Sequence, residues 1–287
     1  MSFSDIYKES NTQFSLEVFP PKTDKGQDLL LEELSKLKKI NPRYISVTYG
    51  AMGSTRSLTQ DLALKIHEKT GVPTAFHFTC VGSDREEIKK YVSELHERGI
   101  NMVVALRGDV PQHQQKFIAP QNGFAHANDL VSYLRELKDF SIAVAGYPEK
   151  HVEAVSLEVD IENLKRKTDA GADIIITQLF FDNQKFYSWV EKVRRAGIQK
   201  PIVAGIMPIL KLSQIERITQ MSGATLPDDL RLNLEKHQNS DEDMIQIGVE
   251  HAIKQCEDLI ANKIAGIHFY CLNKSDSVLK IASACRK

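Results

Sequence analysis

The chain has 287 residues, of which 42% are hydrophobic and 26% are charged, and this is the balance of a globular protein with a sizeable core. Its 37 basic and 38 acidic residues leave a formal net charge of -1, so charge gives no reason to expect a nucleic acid or an anionic membrane as partner. Met1–Asn11 lacks the features of a signal peptide, and no apolar run approaches the roughly 20 residues that span a bilayer. The four cysteines form no CxxC pair and have no His at metal-ligand spacing, so we expect a cytoplasmic protein without a bound metal.

Short runs rich in β-branched and aromatic residues alternate with amphipathic segments along the chain, which predicts βα units. The first seven predicted strands begin about 30 residues apart, the length of one such unit. The predicted strands are Phe14–Phe19, Tyr44–Tyr49, Thr74–Cys80, Met102–Arg107, Ile142–Tyr147, Asp173–Gln178, Ile202–Met207 and Ile264–Leu272.

The helical segments between the strands show apolar residues at helical spacing. The interval before the last strand is about twice as long as the others and predicts additional helices at Pro227–Lys236 and Asp241–Ala261. In Gly26–Ile40 the apolar residues at helical spacing are Leu29, Leu30, Leu34 and Leu37.

Eight strands that each precede a helix suit either a closed barrel or an open doubly wound sheet. Neither of the glycine-rich phosphate loops of open sheets, GxGxxG or GxxxxGK[ST], follows a strand, and no linker divides the chain. We therefore predict a TIM-type (β/α)8 barrel that forms a single domain over residues 1–287, with extra helices before its last strand.

Alternation of side chains along the predicted strands places polar groups on one face, which we assign to the barrel interior. Because the active sites of such barrels lie at the C-terminal ends of the strands, we expect the site there. The polar pairs that share a face are Ser15 with Glu17, Ser46 with Thr48, His77 with Thr79, and His268 with Tyr270.

Glu17 lies inside an apolar run, where a carboxylate is costly to desolvate unless it is paired or protonated. The residues alone leave two interpretations open. The first is an ion pair with an Arg or Lys that lines the barrel, and the second is a general acid whose pKa is raised by burial. In the same way, His77 is either a core histidine with a satisfied hydrogen bond or part of the site.

Two further strands end in groups that suit a ligand. Arg107, Gly108 and Asp109 follow the fourth strand, where the glycine lets the backbone approach a ligand and the flanking charges suit a phosphate clamp and a local anion. An Arg–Asp pair that closes the strand end is the alternative. Gln178 ends the sixth strand with an amide suited to a polar heterocycle, whereas the adjacent Phe180-Phe181 is more typical of a core or a barrel cap.

The helix predicted over Ser156–Ala170 presents a row of polar side chains on one face. A solvated face is the common explanation of such a row. The preceding loop, Tyr147–His151, is rich in stacking and hydrogen-bonding groups, so loop and helix together would suit the ribose and diphosphate of a dinucleotide. The row consists of Asp160, Asn163, Arg166 and Lys167.

Seven segments carry the most distinctive residue combinations: Ser15–Thr23 (SLEVFPPKT), Ser46–Ala51 (SVTYGA), His77–Cys80 (HFTC), Ala105–Asp109 (ALRGD), Tyr147–His151 (YPEKH), Asn163–Lys167 (NLKRK) and Ile176–Asp182 (ITQLFFD). Together and in this order they resemble the motifs of bacterial methylenetetrahydrofolate reductases. The resemblance extends from about Phe14 to Asn273 and indicates the short form that consists of the catalytic domain alone.

The resemblance implies a barrel that binds FAD at the C-terminal ends of its strands and reduces 5,10-methylenetetrahydrofolate to 5-methyltetrahydrofolate, feeding methionine synthesis. NADH or NADPH would reduce the flavin and leave before the folate reacts, in a two-step ping-pong sequence. The partners would be these small molecules and, as in the bacterial relatives, further copies of the chain in a homo-oligomer. By matching position, the FAD contacts would be Thr48, Tyr49, Ala51, His77, Arg107, Gly108, Asp109, Ala127, Tyr147, His151, Ala154, Asp160, Asn163, Arg166 and Lys167.

The resemblance also assigns catalytic and substrate-binding roles. Glu17 would protonate the nitrogen that departs when the five-membered folate ring opens to an iminium. Asp109 would lie between flavin and folate and stabilise positive charge, and Gln178 would contact both folate and nicotinamide. Gln214 and Lys274 would make further folate contacts.

Two positions depart from the family's pattern, and two other functions stay open. Lys274 stands where several relatives carry Arg, and Ile218 lies where some place a Phe against the ligand. A barrel aldolase or lyase acting on a small phosphorylated substrate would need a Schiff-base Lys at a strand end, and none of the predicted strands ends in one. A non-catalytic flavin or folate binder would keep the flavin contacts but would not need Glu17.

Overall fold

Eight parallel strands form a closed barrel in the computed structural model, which describes residues 1–48, 56–110 and 117–286 apart from the side chains of residues 56–58. The strands are β1 (Gln13–Val18), β2 (Ile45–Val47), β3 (Thr74–Thr79), β4 (Met102–Leu106), β5 (Ser141–Gly146), β6 (Ile174–Thr177), β7 (Ile202–Ile206) and β8 (Gly266–Tyr270). Each strand pairs with the next in chain order, and β8 closes the barrel on β1, with His268 opposite Ser15 and Tyr270 opposite Glu17. The predicted TIM-type barrel is confirmed.

A short helix precedes β1, and helices follow the strands. They are α1 (Phe3–Ile6), α2 (Asp24–Leu37) with a 3-10 turn at Lys38–Ile40, α3 (Arg56–Thr70), α4 (Arg85–Glu97), α5 (Ala127–Leu137), α6 (Leu157–Asp169), α7 (Asn183–Arg195), α8 (Leu212–Ser222), α9 (Asp228–Lys236), α10 (Asp241–Ala261) and α11 (Asp276–Ala284). The extra helices expected before the last strand are confirmed as α9 and α10. None of the helices in the described ranges combines the length and apolar character needed to cross a bilayer.

The ends of the elements differ from the predicted ones by small amounts that have local causes. The last strand is shorter than the predicted Ile264–Leu272 because Lys263 and Leu272 both adopt positive φ, at 56° and 51°, which breaks the extended conformation. In α2 Leu29 lies outside the buried face, since this residue is 52% exposed. The buried face of α2 consists of Gln27, Leu30, Leu34 and Leu37.

The alternation predicted along the strands is confirmed by the two sides of the barrel wall. Phe14, Leu16 and Val18 pack in the main hydrophobic core, which also contains the buried faces of the surrounding helices. Ser15 and Glu17 point instead into the interior, where both contact His268. A one-residue shift in register would exchange these two sets of side chains, so burial of the apolar set fixes the position of Glu17.

The barrel interior has an apolar part and a polar part. Strands β4 to β7 contribute apolar side chains, among them Val104, Ala143, Ile176 and Val203. Strands β1, β2, β3 and β8 contribute the hydroxyl, carboxylate and imidazole groups described below. The interior chemistry is therefore concentrated where the first and last strands of the chain meet.

Helix α1 closes the N-terminal end of the barrel. Phe3 and Ile6 are fully buried, and Phe3 lies against Tyr44 with ring centroids 5.0 Å apart. The backbone N–H of Phe3 donates to Ser141 Oγ at 2.8 Å, and the hydroxyls of Tyr7 and Tyr44 are 3.3 Å apart. This packing excludes water from the end of the barrel opposite the predicted site.

Candidate active site

A polar cluster inside the barrel is centred on the carboxylate of Glu17. Its Oε2 lies 3.2 Å from Nε2 of His77 and 3.3 Å from Nε2 of His268. The other ring nitrogen of His268, Nδ1, lies 2.7 Å from Ser15 Oγ. Ser46 Oγ completes the cluster at 3.3 Å from His268 and 3.4 Å from His77. Strands β1, β2, β3 and β8 thus hold one carboxylate between two imidazoles.

The environment of Glu17 differs from the predicted one. Burial raises the pKa of its carboxyl, but the charges and hydrogen bonds of His77 and His268 outweigh burial and lower the pKa from 4.5 to about 2. The expectation of a raised pKa is therefore wrong for the structure as it stands. The ion-pair interpretation named an Arg or Lys as partner, whereas the structure places two imidazoles beside the carboxylate.

A cavity of about 230 Å³ lies where β4 and β5 end and where α5 and α6 approach them. Eight of the predicted FAD contacts line it. They are Arg107, Ala127, Tyr147, His151, Asp160, Asn163, Arg166 and Lys167. The row of four polar residues on α6 thus faces a cavity, as the dinucleotide interpretation requires.

Lys167 is a half-buried cation of the cavity. Its Nζ donates to the carbonyl oxygen of Ala145 at 2.6 Å and lies 5.7 Å from the ring centroid of Tyr147. Burial lowers the pKa of this ammonium to about 8, against the favourable charge of Asp160. Asp160 is itself buried, which raises the pKa of its carboxyl, and it accepts a hydrogen bond from the backbone N–H of His151 at 3.2 Å.

Arg107 forms a bidentate ion pair with Glu153, which lies in the loop after β5, and both N–O distances are 2.6 Å. The hydrogen bonds to Glu153 raise the pKa of the guanidinium. The predicted alternative, a pair between Arg107 and Asp109, does not form, because Glu153 takes both terminal nitrogens of the guanidinium and Asp109 is exposed without an ion-pair contact to it among the described residues. Arg166 is also paired, with Glu162 at 2.7 Å along α6.

Gly108 adopts a φ of +89°, and a Cβ there would lie 2.7 Å from Val81 Cγ2 and 3.0 Å from Thr79 Cβ. Only glycine fits this position without displacing its neighbours. The hydroxyl of Thr79 is buried and has no hydrogen-bond partner within the described structure. The turn after β4 is thus tightly packed beside an unsatisfied polar atom, which suits a ligand-facing segment.

Gln178 lies directly after β6 with its side chain turned back on the backbone. Its Oε1 accepts from the N–H of Leu179 at 2.9 Å, and its own N–H donates to Gly146 at 2.7 Å. The amide NH2 has no hydrogen-bond partner among the described residues. Phe180 and Phe181 are buried, and Phe180 stacks on Phe186 at 4.7 Å, so the interpretation of these aromatics as core residues is confirmed.

The remaining predicted residues lie outside the cavity lining. Thr48 follows β2 and is half-buried, and His77 belongs to the interior cluster. Ala154 is half-buried and accepts from Lys150 Nζ at 2.5 Å. Gln214 and Ile218 are half-buried on α8, and Lys274 is exposed after β8. Tyr49 and Ala51 are predicted contacts outside the described residues.

The family model for methylenetetrahydrofolate reductase matches residues 2–286. The chain belongs to this family. A 5,10-methylenetetrahydrofolate reductase from Pectobacterium carotovorum is 36% identical over 275 residues, which cover 96% of this chain and 90% of the relative. The Escherichia coli enzyme of the same name is 33% identical with the same coverage.

Plant members of the family are longer. Methylenetetrahydrofolate reductase (NADH) 1 from Arabidopsis thaliana is 37% identical over 287 residues, which cover 96% of this chain but 48% of the relative. The chain thus spans about half the length of this relative and most of the length of the bacterial ones.

Solved structures with low sequence identity share the barrel. A Clostridium thermocellum protein that binds two copies of 5-methyl-5,6,7,8-tetrahydrofolic acid has a TM-score of 0.64 at 11% identity, covering 100% of this chain and 98% of that one. Dihydropteroate synthase from Xanthomonas albilineans has a TM-score of 0.52 at 12% identity, covering 95% and 91%. At these identities the likeness concerns the fold alone.

Three residues at the cavity were not predicted from the sequence. His126 and Asn128 line the cavity on either side of the predicted Ala127. His126 is the N-cap of α5 and makes no side-chain hydrogen bond to the first turn, so N–H groups at this helix end stay available. Glu153 holds Arg107. His126 and Asn128 could have been found because they are adjacent to the predicted Ala127 in the sequence. Nothing in the sequence pattern pointed to Glu153, an acidic residue in a loop.

Proposed function

We propose that this protein reduces 5,10-methylenetetrahydrofolate to 5-methyltetrahydrofolate, with FAD bound at the cavity and NADH or NADPH as the source of the hydride. The observation that carries the proposal is the cavity itself. Eight side chains that the family resemblance assigns to FAD, from two strand ends and two helices, line one space. Membership of the family over residues 2–286 supports the same reaction.

The residues present fit FAD by their chemistry. Lys167, Arg107 and Arg166 supply positive charge for a diphosphate, and the N-terminus of α5 adds backbone donors. The unsatisfied hydroxyl of Thr79 and the close packing at Gly108 suit a bound group above β3 and β4. The cavity volume of about 230 Å³ is below the ~300–1,000 Å³ of whole ligand sites, so this space would take only part of the dinucleotide.

The individual cavity residues would hold different parts of FAD. Arg166 and Lys167 would neutralise the diphosphate, and Asp160 and Asn163 lie on the same face of α6 where ribose hydroxyls need partners. The ring of Tyr147, packed edge-on against His151 at 4.7 Å, provides an aromatic wall. Bound FAD would supply the chemistry that this chain lacks, accepting a hydride from the nicotinamide and passing it to the folate.

The protein's own contribution to the reaction is a proton. The closed ring of methylenetetrahydrofolate opens only when its departing nitrogen is protonated, and we assign this proton transfer to Glu17. With a pKa of about 2 the carboxylate is ionised in the structure as it stands. The proton must therefore reach it through His77 or His268, whose Nε2 atoms lie 3.2 Å and 3.3 Å away, or folate must displace one of these contacts.

The other predicted groups would act around this transfer. Asp109 is exposed beyond the end of β4, where a carboxylate would stabilise positive charge on the opening folate. The free NH2 of Gln178, at the end of β6, would donate to the folate or the nicotinamide. Gln214 and Lys274 would bind more distant parts of the folate, and Lys274 offers a point charge rather than the paired donors of an Arg.

One observation favours a second candidate function. Helix α6 brings Lys167 onto the end of β5 and buries it, and burial lowers its pKa to about 8. A buried lysine of lowered pKa at a strand end is what a Schiff-base aldolase or lyase requires. None of the predicted strands ends in a lysine, because Lys167 belongs to a helix and not to a strand.

An absorption spectrum of the purified protein, recorded before and after anaerobic NADH and again after methylenetetrahydrofolate, tests the proposal. We expect a flavin band, bleaching by the nucleotide and recovery of colour with the folate. A colourless protein that also fails to bind added FAD would refute the flavin proposal. Inactivation by borohydride with a phosphorylated aldehyde or ketone would then support the lysine mechanism, with Lys167→Arg as the variant that should resist.

A further inference from the structure

Glu153 is paired with Arg107, the guanidinium that in the proposed function would bind an anionic ligand. Its two carboxylate oxygens accept from Nη1 and Nη2 of Arg107, each at 2.6 Å. The side chain of Arg107 is 23% exposed and that of Glu153 is 46% exposed, so the pair lies at the edge of the cavity rather than in open solvent. A ligand that enters the cavity therefore meets an ion pair and not a free guanidinium.

The donors of Arg107 are largely used within the chain. A guanidinium has five N–H donors in a planar fork, and a phosphate oxygen pair binds best to two parallel ones. Glu153 takes one donor on each terminal nitrogen, and Nε donates to the carbonyl oxygen of Gly108 at 3.2 Å. While Glu153 stays in place, Arg107 has no free pair of parallel donors for a phosphate.

The loop that carries Glu153 is fastened by its own hydrogen bonds. The backbone N–H of Glu153 donates to Nδ1 of His151 at 3.1 Å. Lys150 adopts a φ of +76°, and its Nζ donates to the carbonyl oxygens of His151 and Ala154 at 3.2 Å and 2.5 Å. The carboxylate is thus held at a fixed place beside Arg107, which makes it an intramolecular competitor at high effective concentration.

A comparison with the second ion pair of the cavity shows why Glu153 is distinctive. Arg166 is paired with Glu162 one helical turn away, but both side chains are exposed, at 59% and 61%. An exposed pair of this kind contributes little and opens readily. The pair between Arg107 and Glu153 links two different loops and is less exposed, so its opening has a larger effect on the ligand.

We propose that Glu153 is a negative determinant of ligand affinity: it holds Arg107 in the free protein and must release it before an anionic group binds there. The inference rests on the proposed function in taking that anionic group to be the FAD diphosphate. It predicts that removing the carboxylate tightens binding, the opposite of what a residue that merely orients Arg107 would do.

The test is a titration of the flavin-free protein with FAD, followed by flavin fluorescence, for the wild type and for Glu153→Gln. We expect about fivefold tighter binding by the variant at low salt, with the difference shrinking as salt screens the free guanidinium. Glu158→Gln is the matched control, because Glu158 lies on α6, is 75% exposed and pairs at 4.0 Å with Lys192 rather than with an arginine of the cavity. It removes the same charge without freeing Arg107 and should leave the affinity unchanged.

A third variant identifies the route of the effect. In an Arg107→Gln background, Glu153→Gln should not tighten FAD binding, because there is then no guanidinium for Glu153 to hold. Unchanged or weaker FAD binding by Glu153→Gln, with the control unaffected, would overturn the inference and make Glu153 a positioning residue for Arg107.

Failure of the proposed function would give a different pattern. If the wild type binds no FAD, the same variants are titrated calorimetrically with inorganic pyrophosphate. Tighter pyrophosphate binding by Glu153→Gln than by the wild type would retain the competitor role while refuting the flavin. Equal binding, or none by either protein, would overturn the competitor role as well.

Discussion

Replacing Glu17 by Gln removes the one carboxylate that lies between the imidazoles of His77 and His268. The lowering of the pKa from 4.5 to about 2 corresponds to about 3 kcal/mol of preference for the charged carboxylate in the folded state. Because the folded pKa lies below the unfolded one, this stabilisation is fully present above about pH 4.5 and is lost as the pH falls towards 2. The Gln side chain has no charge to titrate and carries no such dependence.

The measurement is urea unfolding of the wild type and Glu17→Gln at several pH values between 7 and 3. The wild-type advantage should be greatest at pH 5 to 7 and should shrink towards pH 3 in the direction fixed by the lowered pKa. Other carboxyl groups titrate in both proteins and cancel in the difference. If the difference in unfolding free energy grows towards acid, the pKa of Glu17 is raised and the argument from the two imidazoles is refuted. If the difference does not depend on pH, the charge of Glu17 does not contribute to stability.

The same variant separates the two half-reactions. Glu17→Gln should bind FAD and be reduced by NADH as the wild type is, because none of the cavity-lining residues is altered. Reoxidation by methylenetetrahydrofolate should fall by about 10²-fold or more, the usual loss for a general acid. Anaerobic stopped-flow spectra follow both steps. Equal loss in both would exclude Glu17 from the acid role.

Three further perturbations test the cavity and the barrel. FAD affinity should weaken as the pH rises through about 8, where Lys167 loses its charge, and Lys167→Arg should abolish this dependence in a fluorescence titration. Gly108→Ala should lower the free energy of unfolding in urea by about 1–3 kcal/mol, because a Cβ would lie 2.7 Å from Val81. Gly71→Ala is the control: Gly71 is also at positive φ but has open space around it, so the loss should be about 1 kcal/mol or less. Phe3→Ala should cost about 3–5 kcal/mol by the same measurement, since the ring is fully buried at the N-terminal end of the barrel, and a loss below 1 kcal/mol would contradict its role there.

Much of the barrel is predictable because its signals are local. Alternation along β1 depends on adjacent residues only, so the interior position of Glu17 follows from the apolar set of Phe14, Leu16 and Val18. The polar face of α6 follows in the same way from helical spacing. Both kinds of pattern state which way a side chain points, and the structure agrees with them.

Which groups meet is a different question, and the sequence leaves it open. Glu17 and His268 are separated by 251 residues and meet only because β8 closes the barrel on β1. The sign of the pKa shift at Glu17 depends on that meeting, so burial alone predicted the wrong direction. Likewise Glu153 reaches Arg107 through a loop held by Lys150 in a positive-φ conformation, which no periodic pattern encodes.

The lowered pKa of Glu17 constrains how a general acid can operate here. With its pKa held well below the usual range, the carboxyl is ionised at pH 7 and does not store a proton. His268 is placed to make up for this, because Ser15 engages its Nδ1 at 2.7 Å while its Nε2 faces the carboxylate at 3.3 Å. An imidazole engaged at both nitrogens is fixed in orientation, and we propose that this geometry lets it relay a proton to Glu17. Alternatively, folate separates Glu17 from one imidazole and restores the effect of burial, which raises the pKa. In the first route an imidazole would take part in the proton transfer, whereas in the second the folate itself would complete the acid by changing the surroundings of Glu17.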